Sequence, residues 1–302
     1  AIRPMIGLHL CLQAERTGAI QTRHFILLKD TPMSQFIDLI RLERFSGGIP
    51  VALMFCLLCV GIQNLFRNHA ERKRLDPEIV GGFFQVIGTI YAILIGLVVY
   101  DATSRYSDAH VNVVNESKAL VDIFILSHQI NNNNNVGESL IDLTRRYVDE
   151  VVSNDWNHLQ NETVNIKARV LIKEINLRIL GLSPGTKNEE VIVPLLAQAS
   201  LDAWKYRMSR FDISSHRLPT SEWILLLTGA MITIVSSFFY YLECKTSQNI
   251  LTFLTSFIIA SSLYAILMFS EPYKGDFRVS QKPFEITKAI IDGSYFSQES
   301  LE

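Results

Sequence analysis

Polar and apolar residues alternate along the chain in long blocks. Four windows, Phe45–Phe66, Ile79–Tyr100, Trp223–Leu242 and Thr246–Ser270, contain no Asp, Glu, Lys or Arg. A hydrocarbon core about 30 Å thick takes about 20 helical residues at about 1.5 Å each. Each window is long enough to cross it, whereas a buried helix of a water-soluble domain is usually shorter. One such window fits either setting; four together predict a membrane protein with helices over about 47–66, 79–100, 223–242 and 249–269.

The order predicts a two-plus-two plan: a lead over residues 1–44, a membrane hairpin over 45–100, a helical extramembrane domain over 101–222, a second hairpin over 223–270 and a tail over 271–302. Two spans return the chain to its starting side, so lead, domain and tail share one face of the bilayer. The first connector holds Arg67, Arg72, Lys73 and Arg74, but the opposite flanks also carry Arg and Lys, so the charges assign no orientation. Residues 1–32 lack the long apolar stretch of a signal peptide and read as upstream or ill-ordered sequence. Met33 then opens an amphipathic lead with Phe36, Ile37, Leu39 and Ile40.

Between Gly96 and Gly137 there is neither Gly nor Pro, so the second span is expected to leave the bilayer as one uninterrupted helix. Ala109, Val113, Leu120, Phe124 and Ile130 form its apolar stripe, with Asp108, Glu116 and Lys118 on the wet side. Asn131–Asn135 reads as a solvated turn, because Asn side chains compete with the helix for backbone hydrogen bonds. Helices follow at about 138–153 (Leu140, Tyr147, Val148, Val151), 163–180 (Ile166, Val170, Ile175) and 189–212 (Leu196, Trp204, Met208, Phe211). Strand-type alternation is nearly absent, so the expected fold class is all-α. Trp223, Tyr240 and Tyr241 suit the membrane interface, where amphipathic rings settle.

Composition narrows the function. Among 302 residues, 28 basic and 30 acidic side chains leave a net charge of −2, which excludes the basic footprint of a nucleic-acid binder. Cysteines are few, and Cys56 and Cys59 lie mid-span without a second Cys pair or His, which suits helix packing rather than zinc. The seven His residues are scattered, and neither a nucleophile elbow, a phosphate loop nor a dinucleotide fingerprint is present. The expectation is no enzyme, no cofactor and no metal site. Charge-free spans also argue against a proton-driven transporter.

The second span carries the most information. Gly81, Gly88, Ala92 and Gly96 recur on one helical face, a small-residue seam that lets backbones approach closely where lipid supplies no hydrophobic drive. Phe83, Phe84, Ile87, Tyr91, Leu94 and Ile95 lie on neighbouring faces, bulky enough for a hydrophobic constriction if copies met on an axis. Gln85 is the polar exception. Phe84, Gln85, Gly88, Tyr91, Ala92, Ile95 and Gly96 are therefore candidates for pore lining or helix packing.

Several segments in order carry a family resemblance: Gly88–Gly96, Asn115–Leu120, Leu218-Pro219 with Trp223, and the tail motif Glu271, Pro272, Gly275 and Asp276, followed by Pro283-Phe284. On these the chain resembles a bacterial family of bestrophin-like membrane proteins over about residues 45–290. Bestrophins are pentameric ion channels, chiefly for anions, whose second membrane helices line a hydrophobic neck. The resemblance implies a homo-oligomer in a bacterial inner membrane, small ions and the lipid bilayer as partners, a cytoplasmic helical domain, and Phe84, Gly88, Tyr91 and Ile95 at the neck. Calcium-gated bestrophins carry an acidic cluster after the fourth span; here Glu271 and Asp276 flank Lys274, too few oxygens for a hard-cation clasp. The alternative is a non-conducting scaffold or sensor whose helical domain binds a partner.

Overall fold

The computed structural model describes residues 45–72, 77–130, 135–215, 218–239 and 244–294; the expectations for the lead and for residues 1–32, most of the Asn run, and Tyr240 and Tyr241 lie outside them. Residues Val51–Glu302 form one compact unit; of Ala1–Pro50, only the first turns of a helix are described.

All regular structure among the described residues is helical: α1 (Phe45–Arg72), α2 (Pro77–Ser127), α3 (Val136–Glu150), a π-helical turn (Val151–Asp155), α4 (Trp156–Gln160), α5 (Ile166–Leu180), α6 (Lys187–Ser215), α7 (Thr220–Phe239), α8 (Lys245–Phe269) and α9 (Lys282–Ile291). Four of them, α1, α2, α7 and α8, are long and apolar enough to cross a membrane. With no Gly or Pro to stop it beyond Gly96, α2 runs for 51 residues, about 77 Å at the α-helical rise.

The second half of α2 is the spine of the helical domain and packs most extensively against α6. Ala109, Val113, Leu120 and Ile123 are fully buried there, with Leu140, Tyr147, Ile172, Ile175, Leu196 and Phe284 from the surrounding helices. Local chemistry fixes the helix starts. The Asn165 side chain accepts the Ala168 N–H at 3.1 Å and caps α5. Thr186 and Glu189 make a capping-box pair before α6, Thr186 Oγ1 accepting from Glu189 N at 3.2 Å and Glu189 Oε2 from Gly185 N at 2.8 Å. Gly137 lets α3 fold back tightly, since a Cβ there would stand 2.6 Å from the Ser127 carbonyl oxygen.

The structure corrects several expectations. Glu116, expected on the wet side of α2, is completely buried. On α5 the inward face holds Ala168, Leu171, Ile172, Ile175 and Ile179, while Ile166 and Val170 are exposed. On α6 the inward stripe is Leu196, Ala199, Ala203, Arg207 and Arg210; Met208 is exposed, and Trp204 and Phe211 are half-buried. The helix expected to end near 153 continues through the π turn to Gln160. The short helix α9 was not expected.

After α8 the tail turns back onto the domain. Val279 N donates to the Pro272 carbonyl at 2.7 Å, and Gly275 takes a φ of 73°, a left-handed conformation that suits glycine. This turn buries Tyr273, and α9 then inserts Phe284 into the core.

Candidate functional site

Two regions of α2 stand out: its membrane segment, and a cluster of ionised side chains further along the same rod. In the membrane segment, Tyr91 is the buried anchor. Its ring packs so closely on α7 that a Cβ on Gly229 would lie 2.5 Å from the ring, and its hydroxyl donates to the Leu226 carbonyl at 3.1 Å. Cys59, Ala230, Ile234 and Ile259 complete this small core. Tyr91 thus packs against α7 of its own chain. Phe84 and Ile95 flank it, half-buried.

The small-residue seam lies elsewhere on the helix. Gln85, Ala92 and Gly96 are exposed and Gly88 is half-buried; a Cβ added at Gly88 or Gly96 would meet nothing within 4 Å. Gly88 and Gly96 therefore make no close contact with the described residues of the chain. Turned farthest from Tyr91 at about 100° per residue are Gly82, Val86, Thr89, Ile93 and Gly96, all exposed. The tail motif does not join them: Pro272 is buried, Glu271 is 4.0 Å from Lys274, and Gly275 and Asp276 are exposed on the turn.

The second region lies about 38 Å along α2 from Tyr91, at Glu116. Arg210 of α6 donates from Nε to Glu116 Oε2 at 2.6 Å and from Nη2 to Glu116 Oε1 at 3.1 Å and Asp155 Oδ2 at 2.9 Å. Arg207, one turn earlier, reaches Asp155 at 3.2 and 3.3 Å and donates to the Tyr147 hydroxyl at 2.9 Å. Tyr147 in turn donates to Glu116 Oε1 at 2.5 Å. Two guanidiniums and two carboxylates thus balance in the interior, where an unpaired charge would be very costly.

The surroundings favour the charged forms of Asp155, Arg207 and Arg210. Arg210 sits between aromatic faces, 5.3 Å from the Trp156 ring centre and 5.0 Å from that of Phe284. Burial works to raise the Asp155 carboxyl, but Arg210 and Arg207 more than offset it and hold it below the ordinary aspartate value. Burial pushes the Tyr147 hydroxyl well above the usual range, so it stays a neutral donor. Trp156 Nε1 donates to the Val279 carbonyl at 2.9 Å, tying the tail to the same cluster. The π turn brings Asp155 and Trp156 to this point together; such turns often mark functional positions.

The hub joins the extensions of three membrane helices. Glu116 continues α2, Arg210 precedes α7, and Tyr273 and Phe284 follow α8. Sequence reasoning took Tyr147 as an apolar position and missed Asp155, Arg207 and Arg210. A signal existed: Leu196, Ala199, Ala203, Arg207 and Arg210 share one helical spacing, but hydrophobic periodicity cannot recognise a core stripe that contains cations. No group of three or more His, Cys, Asp or Glu able to hold a metal is found among the described residues.

Comparison with known proteins agrees with this architecture. A family profile described as the bestrophin-like domain matches residues 51–284. No curated protein matches the chain. Among solved structures, a point mutant of a bacterial bestrophin homologue from Klebsiella pneumoniae superimposes with a TM-score of 0.62 at 13% identity, covering 82% of this chain and 98% of its own. A second structure of that homologue gives 0.60 at 13% identity over 81% and 98%. At such identity the structures establish the shared fold. With the family match spanning most of its length, and with four apolar helices and an α-helical domain between the second and third, the chain is an all-α membrane protein that belongs to the bestrophin-like family.

Proposed function

We propose that the protein is the subunit of a homo-oligomeric, passive ion channel in a bacterial inner membrane, with five copies around the axis and anions as the chief permeant species, as the family resemblance implies. One observation carries this reading: in the single chain the membrane segment of α2 is open, with only 11% of its apolar window buried. Its exposed face includes Gly82, Gln85, Thr89, Ala92 and Gly96. Lipid offers little to glycine, whereas a neighbouring helix gains contact from each missing side chain.

With Tyr91 fixed toward its own α7, ringing the α2 helices directs the opposite face to the axis. Val86 and Ile93 then supply a hydrophobic constriction, with Thr89 and Gly96 between and beyond them. Gly88, Gln85 and Ala92 lie on the flank that meets the next copy. The helical domain stands on one membrane face as a vestibule.

Purified protein in planar bilayers tests the reading. Unitary currents are expected, with Ile93→Ser changing their amplitude and Gly88→Leu disrupting assembly or conduction. Absence of unitary currents across a range of ions contradicts the channel and favours a scaffold or sensor.

A further inference from the structure

Beside the hub, a cleft of about 60 Å³ opens to solvent between α4, the start of α5 and α6. It has room for a group of a few heavy atoms. Leu159, Val164, Trp204 and Phe211 make much of its wall apolar, and Arg169, Arg207 and Arg210 line it with positive charge. Small-molecule sites have this composition, apolar walls with a few placed polar groups, although they are usually larger.

The cations are not fully used. Arg169 has no hydrogen-bond or ion-pair partner for its side chain among the described residues. Arg207 spends both of its terminal nitrogens on Asp155, Tyr147 and the Asn165 carbonyl, which leaves Nε without a hydrogen bond. Arg210 Nη1 is buried without a partner. Three guanidiniums here meet two carboxylates, Asp155 and Glu116, and both carboxylates are already held by Arg207 and Arg210. The excess positive charge lies beside the cleft.

We propose that this cleft binds a short-chain carboxylate, its head group held by Arg169 and Arg207 and its alkyl tail lying against Trp204 and Phe211. A guanidinium fork matches the planar carboxylate better than it matches a spherical halide. The apolar walls favour a ligand with a short tail, and the volume limits it to a few carbons. Bound there, the anion would brace α5 against α6 beside the hub. This site is independent of whether the assembly conducts.

The test uses the full chain in detergent or nanodiscs, titrated at constant ionic strength with sodium formate, acetate, propionate, butyrate or chloride. Calorimetry reads the binding, and tryptophan fluorescence reports through Trp204. Saturable binding is expected, tightening about three- to fourfold for each methylene that the cleft accommodates, with chloride much weaker. Arg169→Gln, an exposed position that leaves the core intact, should weaken binding about tenfold or more. Met208→Trp, which fills the cleft, should abolish it, while Arg146→Gln on the distant surface of α3 should leave it unchanged. No saturable signal, equal binding of chloride, or wild-type affinity in Arg169→Gln would overturn the proposal.

Discussion

In its domain half, α2 buries Ala109, Val113, Glu116, Leu120 and Ile123 completely, and neighbouring helices of the same chain meet every inward position. In its membrane half, one aromatic side chain, Tyr91, is fully packed, while Phe83, Val86, Ile90, Ile93 and Leu97 stand exposed. One continuous helix thus passes from a region the chain completes by itself to one it leaves open. Water drives the first half to close, because apolar surface there is expelled and buried charge must be paired. Lipid imposes no such drive, so the membrane half is finished by shape and by what stands next to it. The hub links the two, holding α2 to α6 with charge-assisted bonds rather than apolar contact alone.

The largest loss is expected at Arg210. Arg210→Met leaves the buried Glu116 without its cation and Asp155 with Arg207 alone, and should cost about 3–5 kcal/mol, read as a large fall in the thermal unfolding midpoint of the solubilised protein. Adding Glu116→Gln to that variant should recover part of the loss, because the pair is then removed together. A smaller effect is expected in the membrane core: Gly229→Ala drives a methyl group into the Tyr91 ring and should cost about 1–3 kcal/mol.

Acid gives a graded version of the first test. The folded Asp155 carboxyl lies below its ordinary value of 3.8, so the unfolded chain binds more protons in that range and stability rises with pH. Its contribution is complete above about pH 5 and is lost as pH falls through the lowered value. Between about pH 5 and 3 the unfolding midpoint should fall more steeply in wild type than in Asp155→Asn. Gly275→Ala should cost about 1 kcal/mol, since only the turn's positive φ is strained. Gly61→Ala, where an added Cβ meets nothing within 4 Å of the chain, should change monomer stability by less than about 0.5 kcal/mol.

The membrane half was largely legible in the sequence. Charge-free windows mark the spans, and the absence of Gly and Pro after Gly96 announces the long helix, because both signals are local. The domain half was legible only in outline. Its helices appear near their predicted places, but the facing of α5 and α6 does not follow from apolar spacing. Exposed Ile166, Val170 and Met208 look like core residues, while Glu116, Arg207 and Arg210 look like surface residues until three-dimensional pairing brings them together. The tail was similarly opaque: Tyr273 is buried with its hydroxyl on the Ala109 carbonyl of α2, and Phe284 on α9, which packs against α2, α3 and the π turn, all distant in sequence. Within the membrane, the Gly88–Gly96 pattern was visible, yet which side of α2 faces its own chain depends on the fit of Tyr91 to Gly229, a contact between residues far apart in the sequence.

The claim that other copies complete the open face of α2 is tested most directly by the protein mass of the solubilised assembly, measured by light scattering with the detergent contribution subtracted. Five times the 34.3 kDa chain mass is expected, falling toward a single chain in Gly88→Leu. A wild-type mass of one chain would contradict it.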